Sequence, residues 1–191
     1  ANMAALGERW RGAAKEWRTF VFLALGTGIG AGVVVDGRLH RGARLFAGEV
    51  AYLATDHADV REPFDPQACL EGHASGRAIG PRLASALGRR VTTEEAFALA
   101  RRGDPRAVAL YREVQEHLAV ACVAMGALLD PDGIVVGGGM SGQGEFLLGP
   151  VREMAHRKLP TKPPVVLSAL GEDAQLVGAL RAALDLCELA R

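Results

Sequence analysis

The sequence predicts an α/β fold, on three observations. A helical pattern opens the chain, two β-rich apolar runs meet at a glycine bend, and the second half alternates strand, helix, strand, helix. At 191 residues the chain is long enough for one domain with a full core, and it shows no internal repeat or low-complexity linker, so residues 1–191 are read as one domain. Apolar residues make up 49% and charged residues 23%, a balance that suits a globular protein. Lys plus Arg equals Asp plus Glu at 22 each, so no basic surplus points to nucleic acid.

Each element has a local reason. Met3, Leu6, Trp10 and Ala14 share one stripe, which predicts a helix over residues 1 to about 17; Trp10 and Trp17, seven apart, are placed in a core or, by preference, an interface. Phe20-Val21-Phe22-Leu23-Ala24-Leu25 and Ala31-Gly32-Val33-Val34-Val35 read as strands, and Asp36-Gly37 closes the second. Residues 38 to 66 scatter Gly, Asp and Pro and read as irregular, while 67 to 88 read as one helix ending near Gly88. Thr92-Thr93-Glu94-Glu95 offers N-cap chemistry for a short helix to Arg102. Asp104 as N-cap and Pro105 in the first helical position open the longest helix. Its stripe Leu110, Val114, Leu118, Ala121, Met125, Leu128 runs to the stop at Asp130-Pro131-Asp132-Gly133. Ile134-Val135-Val136 is a buried strand, followed by a helix over about 144–158, the strand Val165-Val166-Leu167 and a last helix from Glu172 to about Leu189.

Chemistry gathers at two glycine clusters. Gly26-Thr27-Gly28-Ile29-Gly30 joins two strands, and a bend without Cβ atoms lets backbone N–H groups approach a phosphate closely. No helix follows directly, as a dinucleotide fingerprint requires, and no Lys-Ser/Thr follows, as a Walker loop requires. Gly137-Gly138-Gly139 ends the strand at Ile134–Val136, where open α/β sheets bind ligands. Each cluster alone also fits a plain turn; the pair favours a nucleotide cleft. Between them stand Glu49 in a loop and Glu71 at a helix start. A carboxylate accepts hydrogen bonds from adjacent sugar hydroxyls, although such residues equally serve as solvated or dipole-complementing groups.

Leu25-Gly26-Thr27-Gly28-Ile29-Gly30, Gly37-Arg38-Leu39, Arg41-Gly42-Ala43, Ala47-Gly48-Glu49, Cys69-Leu70-Glu71 and Ser75-Gly76 together resemble the ROK family of repressors and sugar kinases. Leu129-Asp130-Pro131, Ile134-Val135-Val136-Gly137-Gly138-Gly139 and Ala169-Leu170-Gly171-Glu172-Asp173-Ala174 continue the match in order. The resemblance implies an actin-like ATPase, ribonuclease H-like α/β domain, the large C-terminal domain of a glucokinase-like enzyme that phosphorylates a hexose with ATP and Mg2+. It implies that Gly26, Thr27 and Gly28 contact the phosphates, that Gly138 and Gly139 flank adenosine, and that Glu49 and Glu71 hold sugar hydroxyls. A homodimer is implied as well.

Three departures qualify that expectation. Ala1-Asn2-Met3-Ala4-Ala5-Leu6-Gly7-Glu8 resembles the helix that follows the family's catalytic aspartate. That residue, the first phosphate loop and the small N-terminal domain are therefore expected to lie outside the chain, which should not turn over alone. Ala51 and Tyr52 replace the family's Gly-His, and Tyr52 is expected to donate to a sugar hydroxyl instead. The family's zinc cysteines are reduced to Cys69, behind Asp65-Pro66-Gln67-Ala68, so no structural zinc or other metal site is expected; His57 and His73 are read as exposed or helix-facing. Cys69, Cys122 and Cys187 stand far apart, the longest apolar run (Leu118 to Leu129) is too short to span a bilayer, and no signal peptide is seen, so a cytoplasmic location is expected. The alternative is the sugar-sensing domain of a ROK repressor, whose DNA-binding helices would lie upstream and which alone brings a nucleic-acid partner; a non-catalytic binding module is a weaker third.

Overall fold

A computed structural model describes residues 1–61 and 65–189. Five strands, β1 (Phe20–Leu25), β2 (Ile29–Val35), β3 (Arg38–His40), β4 (Gly133–Gly137) and β5 (Val165–Leu167), form one sheet in the order β3-β2-β1-β4-β5. β2 runs antiparallel to β1 and β3, whereas β4 is parallel to both β1 and β5. The helices are α1 (Asn2–Arg11), α2 (Leu70–Ala74), α3 (Gly76–Leu87), α4 (Thr93–Arg101), α5 (Pro105–Leu129), α6 (Glu145–Lys158) and α7 (Ala174–Leu189). This is the α/β class that the sequence predicts.

Both faces of the sheet are covered, so β1 and β4 are near-continuous apolar runs rather than alternating ones. Successive side chains still point to opposite faces. Val21, Leu23 and Leu25 join the large core with Val114, Leu118 and Leu147 from α5 and α6. Phe20 and Phe22 join a smaller core with Ala4, Ala5 and Ala174 from α1 and α7. Glu8 on α1 is fully buried in the second layer. Its side-chain oxygens accept hydrogen bonds from the Ala13 amide (2.6 Å), the Leu170 amide (3.1 Å) and the Ser168 hydroxyl, so a buried polar group is matched by donors from two distant segments.

Three local readings are corrected. The first helix stops at Arg11, where Gly12 takes an extended conformation, so Trp17 is not helical. Instead Trp17 packs on Phe20 at 6.2 Å and covers Gly133, on the edge of the smaller core. Trp10 is half-buried beneath the guanidinium groups of Arg11 and Arg181. The helix expected over 67–88 is broken at Ser75, whose backbone is extended and whose hydroxyl caps α3 by accepting from the Ala78 amide. Arg38–His40, read as irregular, forms β3. The irregular reading of residues 62–64 lies outside the described residues.

Candidate active site

Parallel pairing decides where the two glycine clusters meet. Ala24 on β1 stands opposite Gly137 on β4, so both strands end at the same edge, and Gly26–Gly28 and Gly138–Gly139 emerge side by side. Gly138 has φ +91, and a Cβ there would lie 2.5 Å from the Leu25 carbonyl oxygen; only glycine lets the two strand ends come this close. Gly26, Thr27 and Gly139 line one cleft of about 330 Å³ with Arg77, Thr93 and Phe97. Gly138 and Gly139 line an adjoining cleft of about 490 Å³ with Ala4, Ala24, Gly171 and Glu172.

The first bend is tight: the Gly26 amide donates to the Gly28 carbonyl at 3.0 Å. The outward carbonyls of Gly26 and Thr27 accept from the first two amides of α3, those of Gly76 (2.8 Å) and Arg77 (3.1 Å). A peptide unit is planar with its N–H opposite its C=O. The Thr27 and Gly28 N–H groups therefore point away from α3, and among the described residues neither has a partner. The bend presents two bare, parallel donors.

Beyond β3's short reach, the outer edge of β2 is left for other groups to satisfy. The Ile29 amide donates to Glu71 Oε2 at 3.0 Å, and the Ala31 amide donates to the Gly48 carbonyl at 2.7 Å. Those amides are two residues apart, roughly 7 Å on a strand. Glu71 and the Gly48-Glu49 loop are thus seated next to one another by a strand edge. The Leu70 amide, donating to the Leu53 carbonyl at 3.0 Å, ties the Glu49–Tyr52 turn to α2. Glu71 Oε1 also accepts from Gln67 Nε2 at 3.0 Å. A Cβ on Gly28 would stand 2.6 Å from Glu71 Oε2, so the glycine bend and the Glu71 carboxylate touch.

Glu49 is exposed, and Tyr52 is half-buried with its ring 5.5 Å from that of Phe46. Helix α1 starts over β2 at Gly32, where a Cβ would lie 2.8 Å from the Ala1 carbonyl oxygen. The start of α1 lies within electrostatic reach of the Glu49 carboxylate. Gly26, Thr27, Gly28, Gly138 and Gly139 thus sit at neighbouring strand ends, whereas Glu49 and Tyr52 lie on the loop and turn packed against β2 and Glu71 on α2, with Gly28 and Glu71 in contact.

Among the described residues no group of three or more His, Cys, Asp or Glu side chains is placed to hold a metal ion. Cys69 is half-buried, Cys122 is buried and Cys187 exposed. His73 does not stand alone: its Nε2 meets Asp59 Oδ1 at 2.8 Å, and its ring stacks on His117 at 4.0 Å, while His117 Nδ1 meets Thr55 Oγ1 at 2.7 Å. This relay pins the 55–59 turn to α2 and α5. Sequence reasoning missed it because its members are 62 residues apart, and it missed Arg77, which carries no motif.

The model of the ROK family matches residues 1–185. The chain belongs to the ROK family. Its fold is the actin-like ATPase arrangement found in ROK sugar kinases. A glucokinase of Streptomyces coelicolor is 31% identical over 94% of this chain and 63% of its own length. An N-acetylmannosamine kinase of Vibrio vulnificus is 31% identical over 85% of this chain and 55% of its own. Among solved structures, a ROK hexokinase from Thermus thermophilus aligns with TM-score 0.88 at 34% identity, covering 98% of this chain and 64% of that one. A Streptomyces griseus ROK glucokinase in complex with glucose and AMPPNP aligns with TM-score 0.79 at 31% identity, covering 94% and 64%. A ROK transcriptional regulator, a homologue of the E. coli MLC protein, aligns with TM-score 0.79 at 25% identity, covering 93% and 48%. The chain spans less than two thirds of the length of these ROK relatives. No helix among the described residues is long and apolar enough to cross a membrane.

Proposed function

We propose that this chain is the large domain of a ROK sugar kinase that transfers the γ-phosphoryl group of ATP to a hexose hydroxyl. The carrying observation is the seam: bare amides at Thr27 and Gly28 on one side, and the Glu71 carboxylate in contact with Gly28 on the other. Phosphoryl transfer asks a protein mainly to position two substrates and to meet developing charge. The amides suit phosphate oxygens, and open space beside Gly26 and Gly139, where a Cβ would intrude, suits a polyphosphate and its nucleoside running from one cleft to the other. Glu49, Tyr52 and Glu71 receive the sugar hydroxyls, with Glu71 held by the Ile29 amide at one oxygen and by Gln67 at the other. A Mg2+ ion bound with the nucleotide would offset the charge of its phosphates.

In this reading residues 1–191 supply one domain. The aspartate that accepts the proton of the sugar hydroxyl belongs just ahead of Ala1, where the start of α1 nears Glu49. The small domain with the first phosphate loop also lies outside the chain, and this chain alone is inactive. A homodimer in the cytoplasm completes the proposal. The hexose is left open, since glucokinases and an N-acetylmannosamine kinase lie at similar identity. Replacing Glu49 with Gln in the full-length protein is expected to lower kcat/KM for the hexose by about 100-fold or more, the scale for unpairing a charge-assisted hydrogen bond in a closed site. A coupled ADP-release assay reads this, and unchanged kinetics would remove Glu49 from the site.

The second reading, a sugar-sensing domain of a repressor, is favoured by the regulator's similarity and by Ala51 and Tyr52 at the place of Gly-His. Sugar binding without any ATP binding would select it.

A further inference from the structure

Charge is unevenly distributed around the two clefts. The glycine bends offer N–H dipoles but no formal positive charge. Glu94 lines the first cleft and Glu172 the second, and Glu71 touches Gly28. A polyanion entering this region meets carboxylates on several sides. Arg77 is the one cationic residue among those lining either cleft.

Like other surface cations such as Arg112 and Arg157, Arg77 has a side chain without structural employment among the described residues; what sets it apart is its place at the cleft. Its amide is tied to the Thr27 carbonyl at 3.1 Å, so its Cα is anchored directly behind the bend. Its side chain is exposed, and among the described residues it forms no ion pair or hydrogen bond. By contrast Arg82, Arg89, Arg152 and Arg181 pair with carboxylates, and Arg101 bonds Gln143. Its position on the helix is unfavourable as well. Arg77 is the second residue of α3, at the positive end of the helix dipole, in a first turn that has no acidic residue. A cation placed there lowers helix stability unless an anion joins it.

We infer that Arg77 is a nucleotide-binding residue: its guanidinium contacts phosphate oxygens of the ATP whose other oxygens are held by the Thr27 and Gly28 amides. The inference rests on the kinase reading. A planar guanidinium forms paired, charge-assisted hydrogen bonds to phosphate, which an ammonium reproduces only as a point charge. The bound anion at the same time satisfies the dipole of α3. Binding and helix stability therefore pull against each other at this one residue.

The test measures calorimetric binding of Mg-ATP and of adenosine, with thermal unfolding, on the full-length protein and on its Arg77→Ala, Arg77→Lys and Arg77→Glu variants. Arg77→Ala is expected to weaken ATP binding about tenfold or more while adenosine binding changes by less than about twofold. Arg77→Lys should recover part of the loss. Arg77→Glu should abolish ATP binding while unfolding at the same or a higher temperature, an outcome that a merely structural arginine would not produce. ATP binding by Arg77→Ala within about twofold of the unsubstituted protein overturns the inference and leaves the kinase reading standing. Absence of ATP binding by the full-length protein overturns both.

Discussion

Glu71 illustrates how one residue serves two purposes. It satisfies the Ile29 amide at the open edge of β2, and the same carboxylate stands against Gly28 at the first glycine bend. Its residue type and helix-start position were legible in the sequence; the strand edge that aims it was not, because edge amides are exposed or covered only once strands pair. The His73–His117 stack is a second case, and it bears a pH prediction. Burial, and next the adjoining His73, hold His117 below its ordinary 6.5, with Arg82 acting in the same direction and Asp59 and Asp56 opposing. At Asp59 burial pushes the carboxyl up, but hydrogen bonds from His73 and from the Asp56 and Thr55 amides outweigh it, leaving the group below 3.8. Below pH 6.5 the unfolded chain therefore takes up a proton at His117 that the folded chain refuses until a lower pH. That contribution is complete above 6.5 and is lost as pH falls through the folded value; the Asp59 contribution begins to be lost only under 3.8. The urea midpoint is expected to fall between about pH 7.5 and about pH 5, and His117→Gln should flatten that slope.

At the scale of elements, two helix caps separate stability from function. Asp104 caps α5 by accepting from the Arg106 amide at 3.0 Å and the Ala107 amide at 3.1 Å, as its Asp-Pro signature predicts. Ser75 caps α3 in the middle of what periodicity alone reads as a continuous helix. The break was hidden because α2 and α3 both bury apolar residues on helical spacing, and a serine is not a strong punctuation mark. Its consequence is that α3 begins at Gly76, where its first two amides grip the carbonyls of Gly26 and Thr27. Replacing either cap with Ala is expected to cost about 1 kcal/mol in urea unfolding. Only Ser75→Ala should also weaken ATP binding, because only α3 orients the bend. Equal nucleotide affinity in the two variants would argue that the bend holds its shape without α3.

Across the whole molecule, α1 and α7 pack as a pair that links β2 to the second cleft. They cross in contact at Gly7 and Gly178, where a Cβ would collide with the backbone carbonyls of Ala174 and Met3. Glu8 then clamps the Ser168–Leu170 loop that leads to Gly171 and Glu172 in the second cleft. Gly178→Ala is expected to destabilise by about 3 kcal/mol or more, since backbone rather than a flexible side chain must yield; urea unfolding measures it. The amino-acid sequence by itself determined the α/β class, the two glycine bends, the Asp-Pro start of the long helix and the residue types suited to phosphate and sugar. These are local properties: apolar period, missing Cβ atoms, cap chemistry. Tertiary structure alone decided that β1 and β4 pair in parallel, that Gly28 meets Glu71, that Glu8 is buried on the amides and hydroxyl of the 168–170 loop and that Arg77 stands unpaired at the cleft. Those facts depend on which distant segments share a boundary once apolar surface is withdrawn from water, and no short stretch of chain carries that information.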